Sequence, residues 1–136
     1  MKKTKILVPL DTTERSMHSL NWLKFFFSKN DIEITLMNVK EVVLTNDMAI
    51  GDKFEVLAKE SELSLDKAEK ELEGYEVKKI TTLGYAADQI LKEAKEDNYD
   101  IIIMTKSTKK GIPRMIGSVT RKVVRNAQVS VIVLPE

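Results

Sequence analysis

Short apolar runs alternate with stretches of helical spacing along this chain, and that alternation leaves few folds open to it. Lys5–Leu10 (Lys-Ile-Leu-Val-Pro-Leu) is too short for a buried helix and too continuous for a strand wetted on one side. It reads as a strand buried on both faces. Asp100–Met104 and Val129–Leu134 are buried strands of the same kind, and Ile32–Val39 and Glu76–Thr82 complete the set. Between them lie helical patterns. Glu14–Ser28 follows the polar caps Asp11-Thr12-Thr13 and sets Met17, Leu20, Leu23 and Phe27 on one side. Phe54–Glu73 repeats Phe54, Leu57, Ser61, Leu65, Ala68 and Leu72 at helical spacing, and Gly74 stops it. Ala86–Asp97 turns Ile90, Leu91 and Ala94 inward, and Ser118–Asn126 is the last helix. Most of Glu41–Lys53 reads as loop. Strand and helix in strict alternation predict an α/β fold: a parallel, doubly wound, Rossmann-like sheet with helices on both faces.

The 136 residues suit one domain spanning 1–136. No apolar run approaches the roughly 20 residues that cross a bilayer, so no membrane partner is expected. The basic start Met1-Lys2-Lys3-Thr4-Lys5 leads into an apolar stretch that stops at Pro9-Leu10-Asp11, too early for a signal peptide. A cytoplasmic protein is the expectation. The absence of cysteine excludes disulfides, thiolate metal sites and a cysteine nucleophile. The net charge of +1 conceals an asymmetry. From Ile101 to Pro135 there is no acidic residue, while Lys106, Lys109, Lys110, Arg114, Arg121, Lys122 and Arg125 all fall there. A basic end on an otherwise acidic chain points to a small anionic ligand at the 105–119 loop. Gly117-Ser118 can open a helix there, and backbone N–H groups at a helix N-terminus attract anions.

Several pieces in order resemble the universal stress protein family over essentially the whole chain. They are Ile6-Leu7-Val8-Pro9-Leu10-Asp11, Ser19-Leu20-Asn21-Trp22, Met37-Asn38-Val39 and Gly84-Tyr85-Ala86-Ala87-Asp88-Gln89-Ile90-Leu91. Tyr99-Asp100-Ile101-Ile102-Ile103-Met104, Gly117-Ser118-Val119 and Val131-Ile132-Val133-Leu134-Pro135 follow at the right spacings. The resemblance implies five strands ordered 3-2-1-4-5 and a homodimer. The final strand, 129–134, then lies at a sheet edge with no charge to block pairing, and is the expected dimer contact. Some family members bind ATP with Mg²⁺ beside strands 1 and 4, where strand order reverses and open α/β sheets hold ligands. The positions implied here for nucleotide contact are Pro9, Leu10, Asp11, Val39, Met104, Thr105, Thr108, Gly117, Ser118 and Val119. Asp11 would take ribose or Mg²⁺-bridged phosphates, and Val39 the adenine.

The chain departs from the ATP-binding pattern, which runs glycine, two residues, glycine, nine residues, then Gly-Ser or Gly-Thr. Thr105 and Thr108 stand where the first two glycines belong, and the spacer Lys109–Ile116 is one residue short. Only Gly117 and Ser118 match. Glycine permits close backbone approach to phosphate, whereas threonine adds β-branched bulk. Two readings remain open: a non-enzymatic homodimer with a degenerate nucleotide loop, and an ATP-binding regulatory protein using the same loop as a switch. An enzyme is not expected, because neither His-x-x-His nor Ser-Gly-Gly-x-Asp follows the first strand. A receiver domain lacks its acidic cluster. Nucleic acid is not indicated, since no aromatic residue is interleaved with the C-terminal charges. His18 is expected at the surface, and Trp22, Phe25, Phe26 and Phe27 in core and interhelix packing.

Overall fold

In the computed structural model, residues 2–13, 15–41, 50–106 and 117–135 are described. The elements run β1 (Thr4–Pro9), a 3₁₀ turn (Arg15–Met17), α1 (His18–Phe26), β2 (Ile32–Lys40), α2 (Ile50–Lys70), β3 (Glu76–Leu83), α3 (Ala86–Glu96), β4 (Ile101–Thr105), α4 (Ser118–Asn126) and β5 (Ser130–Leu134). All neighbouring strands are parallel, and the sheet order is β3-β2-β1-β4-β5. Order therefore reverses between β1 and β4, which pair through Ile6 with Ile101 and Leu7 with Ile102.

Each face of the sheet carries its own core. Ile6, Val8, Ile34, Leu36 and Ile103 pack against Leu20 and Leu23 of α1 and Leu65 and Ala68 of α2. Leu7, Met37, Ile102 and Met104 meet Ala87, Ile90 and Ala94 of α3 and Val123 of α4 on the other side. Successive residues of one strand thus feed opposite cores, which is why the runs are continuously apolar rather than alternating.

The helix boundaries differ from expectation most at two helix starts. Thr13 Oγ1 accepts the Ser16 N–H at 3.3 Å, and the Ser16 hydroxyl donates to the Thr13 carbonyl at 2.8 Å. These local bonds tighten the entry into a 3₁₀ turn, so α1 proper starts at His18. The helix expected from Phe54 begins already at Ile50. Residues 42–49 of the expected loop lie outside the described residues.

The aromatic cluster is a second correction. Trp22 and Phe27 are half-buried against the first core, but Phe25 is 82% and Phe26 58% exposed. A helix this close to the sheet has one inward arc, and Leu20 and Leu23 fill it. His18 is exposed, as expected.

α2 ends at Lys70, three residues before the expected Glu73, and Gly74, in the turn beyond it, has φ +90°, in the left-handed region. A Cβ there would lie 2.7 Å from Lys29 Nζ, the movable end of a flexible side chain, so the cost of Gly74→Ala is mainly backbone. We expect a loss of about 1–2 kcal/mol in chemical denaturation, with the slope unchanged.

The two edges of the sheet are unlike. β3 exposes Glu76, Lys78 and Lys79, with Lys79 Nζ held 2.7 Å from Asp66 and 3.1 Å from Glu69. β5 reads Ser-Val-Ile-Val-Leu and carries no charge.

Candidate functional site

β1 hands the chain to the site. Its last residue is followed by Leu10, whose N–H donates to the Met37 carbonyl at 2.8 Å. The buried amide of Asn38 donates in turn to the Leu10 carbonyl at 2.6 Å. These two bonds fix the exit of β1 against β2, so Asp11 emerges at the C-terminal end of the sheet. Its Oδ1 accepts the Thr13 N–H at 3.0 Å and the Thr13 hydroxyl, an Asx-type turn at the site's entrance. Thr12, between them, has φ 71°. Asp11 thus shapes the turn, while Thr13 caps the helical entry.

Across the reversal point, β4 ends at Thr105, and the Lys106 N–H donates to the Leu134 carbonyl at 2.6 Å. Gly117 is the N-cap of α4, with extended backbone and no side-chain cap. The first turn of α4 carries no acidic residue.

A cavity of about 190 Å³ lies between these parts. Pro9, Leu10 and Asp11 line it from the end of β1, Met37 and Val39 from β2, and Met104 and Thr105 from β4. Ala86 and Ile90 of α3 and Val119 and Thr120 of α4 form its roof, with Ser16 contributing from the 3₁₀ turn. Its wall is mainly apolar. Thr105 Oγ1 is buried and has no hydrogen-bond partner among the described residues, so one polar atom of the wall is left unsatisfied. Around the mouth, Ser118 joins Glu41, Tyr85, Asp88 and Lys122 in a shallower cleft that shares Ala86 and Val119 with the cavity. There Lys122 Nζ lies 2.6 Å from Asp88, and Glu41 accepts the Ala86 N–H at 3.4 Å.

Of the positions read from sequence, Pro9, Leu10, Asp11, Val39, Met104, Thr105 and Val119 surround this one cavity. Gly117 and Ser118 stand at the adjoining helix start, and Thr108 lies outside the described residues. Ser16, Met37, Ala86, Ile90 and Thr120 were not singled out. Ala86 and Ile90 had a legible signal, being four apart on one helix face, as did Met37, two residues before Val39 on the same face of a strand. Ser16 had none. Among the described residues no group of three or more His, Asp or Glu is placed to hold a metal ion. None of the described helices is long and apolar enough to cross a membrane.

A sequence profile of the universal stress protein family matches residues 3–135. The chain belongs to the universal stress protein family. It is 28% identical to the universal stress protein MJ0577 of Methanocaldococcus jannaschii, covering 96% of this chain and 93% of that protein. The solved structure of MJ0577 superposes with a TM-score of 0.82 over 100% of this chain and 98% of that one. A family member from Arabidopsis thaliana, solved with AMP bound, has the same fold at 17% identity and a TM-score of 0.69, over 98% of this chain and 92% of that one. The strand order 3-2-1-4-5 is that of a universal stress protein, and the crevice falls where that order reverses.

Proposed function

We propose that this universal stress protein is a cytoplasmic, non-enzymatic homodimer. Its crevice accepts the nucleoside end of an adenine nucleotide, and its degenerate loop holds the phosphates poorly. The cavity carries this reading. At about 190 Å³ it is smaller than the roughly 300–1,000 Å³ of pockets for drug-sized ligands. Met37, Val39, Ile90, Met104 and Val119 offer an apolar slot for a flat base. Asp11 and the unpartnered Thr105 hydroxyl stand where a ribose would need polar contacts. AMP in the Arabidopsis relative supports the ligand class. A phosphate-holding turn would have to come from the Thr105-to-Gly117 segment, where the glycines of the ATP pattern are replaced.

The chemistry of the cavity wall supports the non-enzymatic reading. His18, the only histidine, is exposed on α1 and does not line the cavity. Asp11 is engaged by Thr13, and no nucleophile stands beside a base in the wall. The uncharged β5 edge supports the homodimer.

Titration calorimetry with adenosine, AMP and Mg-ATP tests the ligand reading. All three should bind within about tenfold of one another, because the phosphates add less than about 1.4 kcal/mol. ATP binding a hundredfold tighter than adenosine would instead favour the nucleotide-switch alternative. One observation speaks for that alternative: Gly117-Ser118 still opens α4, and its N-terminus carries no side-chain cap.

A further inference from the structure

We propose that Trp22, Phe25 and Phe26 on α1 form a docking surface for the same residues of a second copy of this chain, alongside paired β5 strands. This rests on the homodimer reading above and assigns it a second contact.

Helix α1 lies over β4, the neighbour of the edge strand β5. The orientation of α1 about its axis is fixed by two contacts. Lys24 Nζ lies 3.7 Å from Glu71, just past the end of α2, so that flank faces α2. Trp22 and Phe26 each sit two residues from Lys24, about 200° round the helix at 3.6 residues per turn. They therefore occupy the opposite flank, toward β5. Trp22 is half-buried against the first core. The rings form one continuous surface, with Trp22 and Phe26 centroids 4.5 Å apart and Phe25 and Phe26 4.9 Å apart, edge on. Phe26 is largely exposed on the side of α1 that overhangs the uncharged edge, and Phe25, about 100° round from Lys24, stands beside it on the solvent crest of the helix.

A two-fold axis through antiparallel β5 strands, perpendicular to the sheet, keeps like faces together. It brings the partner's α1 over the same face, and the two aromatic surfaces close the groove above the paired strands. The area argument requires such an addition. A five-residue edge is few beside the roughly 20–30 residues a side of a stable interface. Aromatic side chains bury about 150–250 Å² each and are favoured at interface centres. A lipid surface fits less well, because Lys24, the basic residue in the last turn of α1, is directed at Glu71.

Trp22 is the only tryptophan, so its emission reports directly on this surface. The experiment is sedimentation equilibrium and Trp22 emission across a dilution series, for the wild type and for Phe25→Ser with Phe26→Ser. Both substituted positions are exposed, so the fold should persist, and circular dichroism checks it. Expected are a wild-type dimer, a red shift of Trp22 emission on dilution, and self-association at least tenfold weaker in the double variant. A wild-type dimer whose affinity is unchanged in the double variant overturns this proposal and leaves the homodimer reading standing. A wild type that is monomeric at micromolar concentration overturns both. Emission that shifts with phosphatidylcholine vesicles but not on dilution assigns the surface to lipid and also overturns the proposal.

Discussion

Replacing Thr105 and Thr108 with glycine, and inserting one residue after Met115, should raise Mg-ATP affinity roughly a hundredfold or more. The three changes restore the spacing of glycine, two residues, glycine, nine residues and Gly-Ser. Thr105 closes β4 and lines the cavity, so its side chain occupies the ground over which a phosphate-binding turn would pass. Its hydroxyl is buried without a partner among the described residues, so removing it sacrifices no hydrogen bond there. Glycine would let the backbone approach a phosphate and adopt angles closed to threonine. A backbone N–H bond to a charged phosphate contributes about 1.5–3 kcal/mol. Two such bonds regained correspond to the stated factor. Calorimetry on both proteins decides the matter. A parent chain that already binds Mg-ATP as tightly as the variant would show that threonine and the short spacer make a competent cradle.

Val133→Pro should convert the proposed dimer to a folded monomer, or weaken it by roughly tenfold to a hundredfold. The Leu134 carbonyl accepts from Lys106 and so points toward β4. Successive residues of a strand direct their backbone groups to opposite sides, so Val131 and Val133 aim their N–H groups at the open edge. Proline at 133 removes an outward donor and spares the β4 ladder, where Met104 is its neighbour. In a two-fold contact the loss occurs twice, about 1–3 kcal/mol in all. Proline at 132 makes the contrast: its N–H points inward, so that variant should lose stability rather than association alone. Size-exclusion chromatography with light scattering separates the two. A Val133→Pro protein that remains dimeric with unchanged affinity would remove β5 from the interface.

The sheet was largely legible in the sequence because β1, β4 and β5 are nearly uninterrupted apolar runs and most helices have a clear inward stripe. The strand limits moved by a residue at most ends, as in β2, which extends to Lys40, and β4, which runs on to Thr105. Helix entry was less legible. The 3₁₀ turn at Arg15–Met17 depends on Thr13 and Ser16 side chains bonding to nearby backbone, and residue identity alone does not say which partner each will choose. Phe25 and Phe26 misled for a different reason: hydrophobicity indicates a preference for burial, not whether a face remains to receive it. At the crevice, seven of the residues read from sequence, Pro9, Leu10, Asp11, Val39, Met104, Thr105 and Val119, meet around one cavity, because topology brings the ends of β1 and β4 together. The partners of the buried polar residues were not legible. Ser61 reaches Thr81 at 2.6 Å and Asn38 reaches the Leu10 carbonyl only once the strands are in register.

The unlike edges set how many copies can join. A sheet with two open edges has two attachment points, and identical units with two attachment points build chains without end. Here Lys78 and Lys79 deny one side to a newcomer, while β5 remains available. The unit is therefore monovalent, and a monovalent unit that pairs with itself consumes its only attachment point. On the proposed homodimer reading growth stops at two, and a cell could accumulate this protein in quantity without seeding filaments. Replacing those two lysines with valine would raise the valence to two and open the way to fibres.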